Sequence, residues 1–309
     1  MSSGVSNRLS RAARRAASAG RRTVQDRGRP QPPSFFGLTR FSVFDTASGA
    51  WKLSRNAPDP DSYRAMLWSA ERMRPRCDIF LTLTVPILQQ MSEQHDYRHI
   101  VRYSPEMPDP WLAELFAAAE RYPVLHLLEN EVDVDEAMHG LVRARSPRSR
   151  IVVQFRLDDD DMLAADFLDR LAAYATPHDD GRAVSMAVGY SSVFDEGRLG
   201  SVHEVRRVFG AQGLAYIGHY DSGRQRLVLN ARGAHYLVDR RRPTIVDSRK
   251  PAYFQMRHAD QDMLSDHATT GDREAKLRAI TADLATRPEV KDIAAVTERF
   301  PTLTPLLAT

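Results

Sequence analysis

The chain has 309 residues, 42% of them hydrophobic and 27% charged, enough for one large α/β domain or two modest ones with a sizeable core. Its formal charge of +3 is unevenly spread: residues 1–34 hold eight arginines against one acid, Asp26, a net of +7, and the remainder carries −4. A mildly acidic body argues against a nucleic-acid-binding domain, and a lone cysteine, Cys77, excludes an internal disulfide and a cysteine-rich metal site, which points to a reducing, cytoplasmic setting.

Residues 1–34, rich in Arg, Ser, Ala and Pro, have too little to bury to offset their ordering entropy and read as a disordered basic tail. Such a tail suits a weak peripheral contact with an anionic membrane surface, at about 1 kcal/mol per basic residue. No stretch approaches the ~20 apolar residues of a membrane span, and the N-terminus lacks the apolar core of a secretory signal. From Phe35, "FFGLTRFSVF" reads as a strand and "IFLTLTVPILQQMSE" as a helix interrupted at Pro86. "HIVRYS" is a short strand, "PDPWLAELFAAAERY" a helix starting near Pro110, "VLHLL" a strand, "VDEAMHGLVRARS" a helix and "RIVVQFRL" a strong strand. Leu163, Phe167, Leu171 and Tyr174 then recur at helical spacing. Strands alternating with helices predict right-handed crossovers and an α/β, doubly wound, mostly parallel sheet. After residue 180, "AVSMAVGYSSVF", "EVRRVF", "LAYIGHY" and "RLVLN" predict an antiparallel extension and a second wall within a single domain. Two helical segments, about 273–286 and 289–299, form a C-terminal helical extension over 273–309.

The segment "IVVQFRLDDDDML" sets four carboxylates, Asp158–Asp161, directly after a buried strand. Crowded like charges cost stability unless a positive group sits among them. One aspartate capping a following helix with the others solvated is one reading, but a cap needs a single acid. A divalent cation, Mg²⁺ or Mn²⁺, resolves the conflict, because it combines one or two carboxylates with substrate phosphates beyond the carboxyl end of a parallel strand. On that reading Asp160→Asn removes metal-dependent nucleotide binding and leaves thermal unfolding nearly unchanged or slightly improved. Competing chemistries lack their motifs: no GxxxxGK[ST], no GxGxxG after the first strand, no GxSxG. A phosphotransferase with an aspartyl nucleophile stays open on spacing alone.

"RLDDDDML" after a strand resembles the "RLDxDDAL"-type segment of the rhamnosyltransferase-like family, bacterial glycosyltransferases of the GT-A class. "LTRFSVF" is similar to that family's first strand with its Thr-Arg-Phe signature, "IFLTLTVPILQQMSEQ" to the segment after it, and "VRYSPEMPDPWLAEL" to the next strand and helix. "MRHADQDM" is similar to a His-containing segment near the family's C-terminal end. The resemblance spans roughly residues 35–270; Pro86-Ile87-Leu88 stands where the family has "PSL", and Met162 where it has Ala.

The resemblance implies a GT-A-like domain over 35–272 that binds a nucleotide-sugar donor and moves its sugar, for instance rhamnose, to a polysaccharide or lipid-linked acceptor, with no role for nucleic acid. A divalent ion is expected on Asp158 and Asp160, with His258 as a further ligand, since imidazole suits Mn²⁺. Thr39 and Arg40, ending the first strand, are expected to meet the nucleotide, and Asp161 to orient Arg156 or the donor's hydroxyls. Asp195 and Glu196 are the first candidates for the base that deprotonates the acceptor, with Asp260 and Asp262 as competitors. A non-catalytic nucleotide- or carbohydrate-binding module on the same fold is the alternative from another class.

Overall fold

The apolar run at residues 35–41 becomes the central strand of the structure, a computed structural model that describes residues 31–45, 59–145, 148–231, 233–261 and 272–307. The expected basic tail falls almost wholly outside the described residues, as does Asp262. β1 (Ser34–Arg40) pairs in parallel with β2 (Asp96–Tyr103), which carries β3 (Leu125–Glu129), and on its other edge with β4 (Arg150–Arg156). The chain then adds β5 (Asp161–Leu163), β6 (Ala183–Met186), β7 (Val188–Asp195), β8 (Arg198–Leu199), β9 (His203–Arg206), β10 (Ala215–Asp221), β11 (Arg226–Val228), β12 (Thr244–Asp247) and β13 (Tyr253–Arg257).

The first sheet runs β12-β6-β10-β4-β1-β2-β3, with β11 on β10; β10 lies antiparallel to β4 and β6, and β12 parallel to β6. The second runs β5-β13-β7-β8, with β9 on β7. This is the doubly wound, mostly parallel sheet with an antiparallel extension and a second wall that the residue pattern predicts.

The helices are α1 (Pro60–Leu67), α2 (Ala70–Cys77), α3 (Val85–Gln94), α4 (Trp111–Arg121), α5 (Val134–Arg145), α6 (Phe167–Ala172), α7 (Arg273–Leu284), α8 (Ile293–Arg299) and α9 (Thr304–Leu307). Period two along β1 sends Phe35 and Phe36 to opposite faces. Phe35 joins the large core with Leu88, Tyr97 and Phe155, while Phe36 packs with Ile100, Val152, and Met138 and Val142 of α5.

Pro86 does not break its helix. The path from α2 to α3 widens into a π-helical stretch, Asp78–Thr84, whose Val85 N–H reaches back to Phe80 O. A proline removes one donor and crowds the carbonyl four residues earlier, and the widened turn accommodates both. The helix expected right after the aspartates is also displaced. Asp161–Leu163 pairs antiparallel with Tyr253–Gln255, and α6 begins only at Phe167, so the aspartates do not sit at a helix N-terminus. The closing helices cover the second sheet: Phe300 is fully buried, 5.5 Å from Phe254 and 6.1 Å from Tyr190.

Beneath the end of β1 lies a chain of buried hydrogen bonds. Thr39 Oγ1 donates to Leu157 O at 2.8 Å, and so must accept from His99 Nε2 at 2.8 Å. His99 Nδ1 then accepts from the Tyr97 hydroxyl at 2.6 Å. Gly37 makes room for the imidazole, because a Cβ there would lie 2.2 Å from His99 Nδ1. Burial lowers the His99 pKa from 6.5 to about 3. The folded value lies below the unfolded one, so this site's contribution to stability is complete above pH 6.5 and is lost as pH falls toward 3. Thr39→Val is expected to cost about 1–3 kcal/mol in urea unfolding at pH 7, since it leaves Leu157 O unpaired. His99→Gln is expected to flatten the decline in stability between pH 6.5 and 3, followed by the same unfolding measurement.

Candidate functional site

The strand order reverses between β1 and β4, so the two connections leave the sheet in opposite directions and open a crevice at their carboxyl ends. The four aspartates are the turn that crosses from one sheet to the other. Leu157 N–H still bonds Leu38 O, Asp161 N–H closes the turn on Asp158 O at 3.2 Å, and Asp161 already belongs to β5.

Each carboxylate faces a different partner. Asp158 Oδ1 accepts from Arg156 Nε at 2.9 Å and Nη2 at 2.7 Å. Asp159 accepts from Ser42 N at 3.1 Å, and its other oxygen lies 3.2 Å from Arg76 Nε. Asp160 Oδ2 lies 3.6 Å from Arg76 Nη2, 3.5 Å from His258 Nε2 and 3.3 Å from Gln261 Nε2. Asp161 Oδ2 accepts from Gln212 Nε2 at 2.9 Å. The buried guanidinium of Arg76, on α2 and 3% exposed, therefore stands between two of the acids. Burial pushes Asp159 up despite Arg76, and burial with Asp160 and Asp158 alongside pushes Asp161 well up. Burial opposes the charge on Asp160 as well, but His258, Arg76 and Gln261 outweigh it and lower its pKa.

The aspartates line a cavity of about 260 Å³. One wall comes from β1 and α1–α2, with Arg40, Tyr63, Leu67, Arg72 and Arg76; the other from β13 and the loop before β10, with Arg207, Gln212, Gln255 and Gln261. Burial and the neighbouring Arg156 lower the Arg40 pKa, whereas Asp158 raises that of Arg156. A second cavity of about 250 Å³ shares Arg40, Arg156, Ala211 and His235 with the first and has no carboxylate among its described lining residues.

Of the residues expected at the site, Arg40, Arg156, Asp158, Asp160 and Asp161 line the first cavity. Thr39 does not: it is fully buried, its hydroxyl engaged by Leu157 and His99. Asp161 does not hold Arg156, which Asp158 takes instead. Asp195 and Glu196 sit at the β7–β8 hairpin, outside the first cavity; Asp195 pairs with Arg273 and borders a different hollow. His258 is buried beside Asp160, but its Nδ1 accepts from Asp260 N–H at 3.3 Å. Its Nε2 lies 3.5 Å from Asp160 Oδ2 and has no hydrogen-bond partner among the described residues. Arg76, His235, Gln212 and Gln255 were not anticipated; Arg76 is one of three arginines in "RMRPR" and carries no signal of its own.

Among the described residues no three His, Cys, Asp or Glu side chains gather as a metal site. Among the described residues Asp158 Oδ2 and Asp160 Oδ1 have no hydrogen-bond or ion-pair partner, and are a pair of hard oxygen donors of the kind Mg²⁺ and Mn²⁺ accept when phosphate and water complete the shell. Arg76 offsets part of the cluster's charge, lying 3.2 Å from Asp159 and 3.6 Å from Asp160. Arg76→Met is expected to lower stability by about 3–5 kcal/mol, since it strands two buried carboxylates, with the loss read by chemical unfolding.

In an open, mostly parallel sheet the switch point, where these arginines and carboxylates gather, is where ligands bind. The chain matches the family described as "Putative rhamnosyl transferase" over residues 34–269 and belongs to it, which makes it a glycosyltransferase by family. Among solved structures it is similar to residues 1–349 of S. aureus TarS, at 10% identity and a TM-score of 0.34, covering 79% of this chain and 68% of that one. The same TarS segment in complex with UDP gives 10% and 0.35 with equal coverage. A "putative nucleotide-diphospho-sugar transferase" from Desulfovibrio desulfuricans gives 10% and 0.32, covering 83% and 98%. Likenesses of this size assign no role to any residue here. No curated protein matches the chain.

Proposed function

We propose that this protein transfers a sugar, such as rhamnose, from a nucleotide-sugar donor to a glycan or lipid-linked acceptor. The reading is carried by the kinds of side chain that line the cleft together. Tyr63 and Leu67 offer an aromatic and apolar surface for a base, Arg40, Arg72 and Arg156 offer cations for a diphosphate, and Asp158 and Asp160 stand beside them. Asp158 and Asp160 would hold Mg²⁺ or Mn²⁺, which when bound would supply positive charge against that developing on the departing nucleotide.

The base falls to a residue other than those first expected. His235 lines both cavities, and its Nδ1 lies 2.7 Å from Phe209 O, which can only accept. Nδ1 is therefore the protonated nitrogen, and Nε2 presents a lone pair at the partition. An acceptor hydroxyl entering from the second cavity gives its proton to that nitrogen as its oxygen bonds the sugar carbon and the diphosphate leaves.

The test is calorimetric titration with UDP and dTDP, with and without Mn²⁺. Wild type is expected to bind a nucleoside diphosphate more tightly with Mn²⁺, and Asp160→Asn to lose that Mn²⁺ increment; absence of any binding contradicts the reading. His235→Asn is expected to lower the transfer rate by about 10²–10⁴-fold in a donor-consumption assay.

A further inference from the structure

The wall built by β5, β13 and the loop before β10 carries a feature that a diphosphate does not explain. Three of its side-chain oxygens, Asp161 Oδ1, Gln212 Oε1 and Gln255 Oε1, have no hydrogen-bond partner among the described residues. Their residues are only 2%, 8% and 6% exposed, and all three line the first cavity.

The fold holds them in place. Asp161 and Gln255 are direct partners across the β5–β13 ladder, and Gln212 Nε2 bonds the other oxygen of Asp161 at 2.9 Å. Gly210 gives the Gln212 amide its room, since a Cβ at that position would lie 2.7 Å from Gln212 Oε1.

Buried polar atoms are nearly always paired, so three unpaired ones on one wall call for a ligand that completes them. All three are acceptors. The missing group must therefore bring hydrogens; phosphate oxygens bring none, and an anion is repelled by them. Hydroxyl groups on a ring fit, because vicinal O–H donors match a set of neighbouring acceptors. Asp161, Gln212 and Gln255 line the same cavity as Asp158 and Asp160.

Resting on the reading of this cleft as a nucleotide-sugar site, we infer that this wall reads the hydroxyls of the donor's sugar ring, with Gln212 and Gln255 as specificity-determining residues. A site built to bond hydroxyls discriminates strongly against ligands that lack them, because its own buried groups are then left unpaired. The bare nucleoside diphosphate is such a ligand.

The experiment is calorimetry on the full chain with UDP against UDP-glucose and UDP-N-acetylglucosamine, and dTDP against dTDP-rhamnose. At least one nucleotide sugar is expected to bind about tenfold or more tightly than its own nucleoside diphosphate. Gln212→Met and Gln255→Met are expected to bring that ratio toward one. Gly210→Ala, which must displace the Gln212 amide without removing a polar group, is expected to do the same. Equal affinity for diphosphate and sugar ester in wild type means that water alone serves these oxygens and overturns the inference, as does a ratio unchanged in every variant that keeps its unfolding transition. If no nucleoside diphosphate binds at all, the reading of the cleft itself fails, and this inference with it.

Discussion

A single buried guanidinium, Arg76, allows four consecutive carboxylates to exist at the seam between two sheets. It lies against Asp159 and Asp160, both largely removed from solvent, where like charges repel far more than they do in water. His258, Arg76 and Gln261 together hold the Asp160 carboxyl below its usual range, while burial pushes those of Asp159 and Asp161 up. Asp158, at the rim, is served separately by Arg156. The cluster is thus an ordered set of different environments rather than a repeated charge.

The seam also explains why the aspartates are adjacent in the chain. β4 belongs to the first sheet and β5 to the second, and a link of four residues, Leu157 to Asp160, joins them. Successive side chains in so tight a turn point in different directions. One therefore reaches the rim, one Ser42 on the loop after β1, one the end of β13, and one the loop before β10. The cleft draws its walls from both sheets, and the Thr39–His99–Tyr97 chain under Leu157 fixes the point from which the turn departs. His235 stands where the two cavities meet, the position from which one group can serve ligands on either side.

Much of the architecture was legible in the residue order. Alternating apolar runs and helical periodicities gave β3, β4 and α5 to within about one residue and β1, β2 and α4 to within about four, because each element there buries a face that its own sequence advertises. The short strand at Asp161–Leu163 was read as the start of a helix, since three residues carry no period of their own and only pairing with β13 makes them a strand. Pro86 was read as an interruption, whereas a π-helical widening carries the helix through it.

For the site the division is similar. Sequence alone determined that a strand ends in four acids, that Arg40 and Arg156 close neighbouring strands, and that His258 lies in an acidic segment. These facts follow from local order. Which cation meets those acids, which amides close the opposite wall, and that Asp195 and Glu196 fall outside the cleft were decided by tertiary structure. Arg76 lies 82 positions before the nearest aspartate of the cluster and Gln255 lies 94 beyond the last. Contacts over such separations arise from how helices and sheets pack, and no local pattern encodes them.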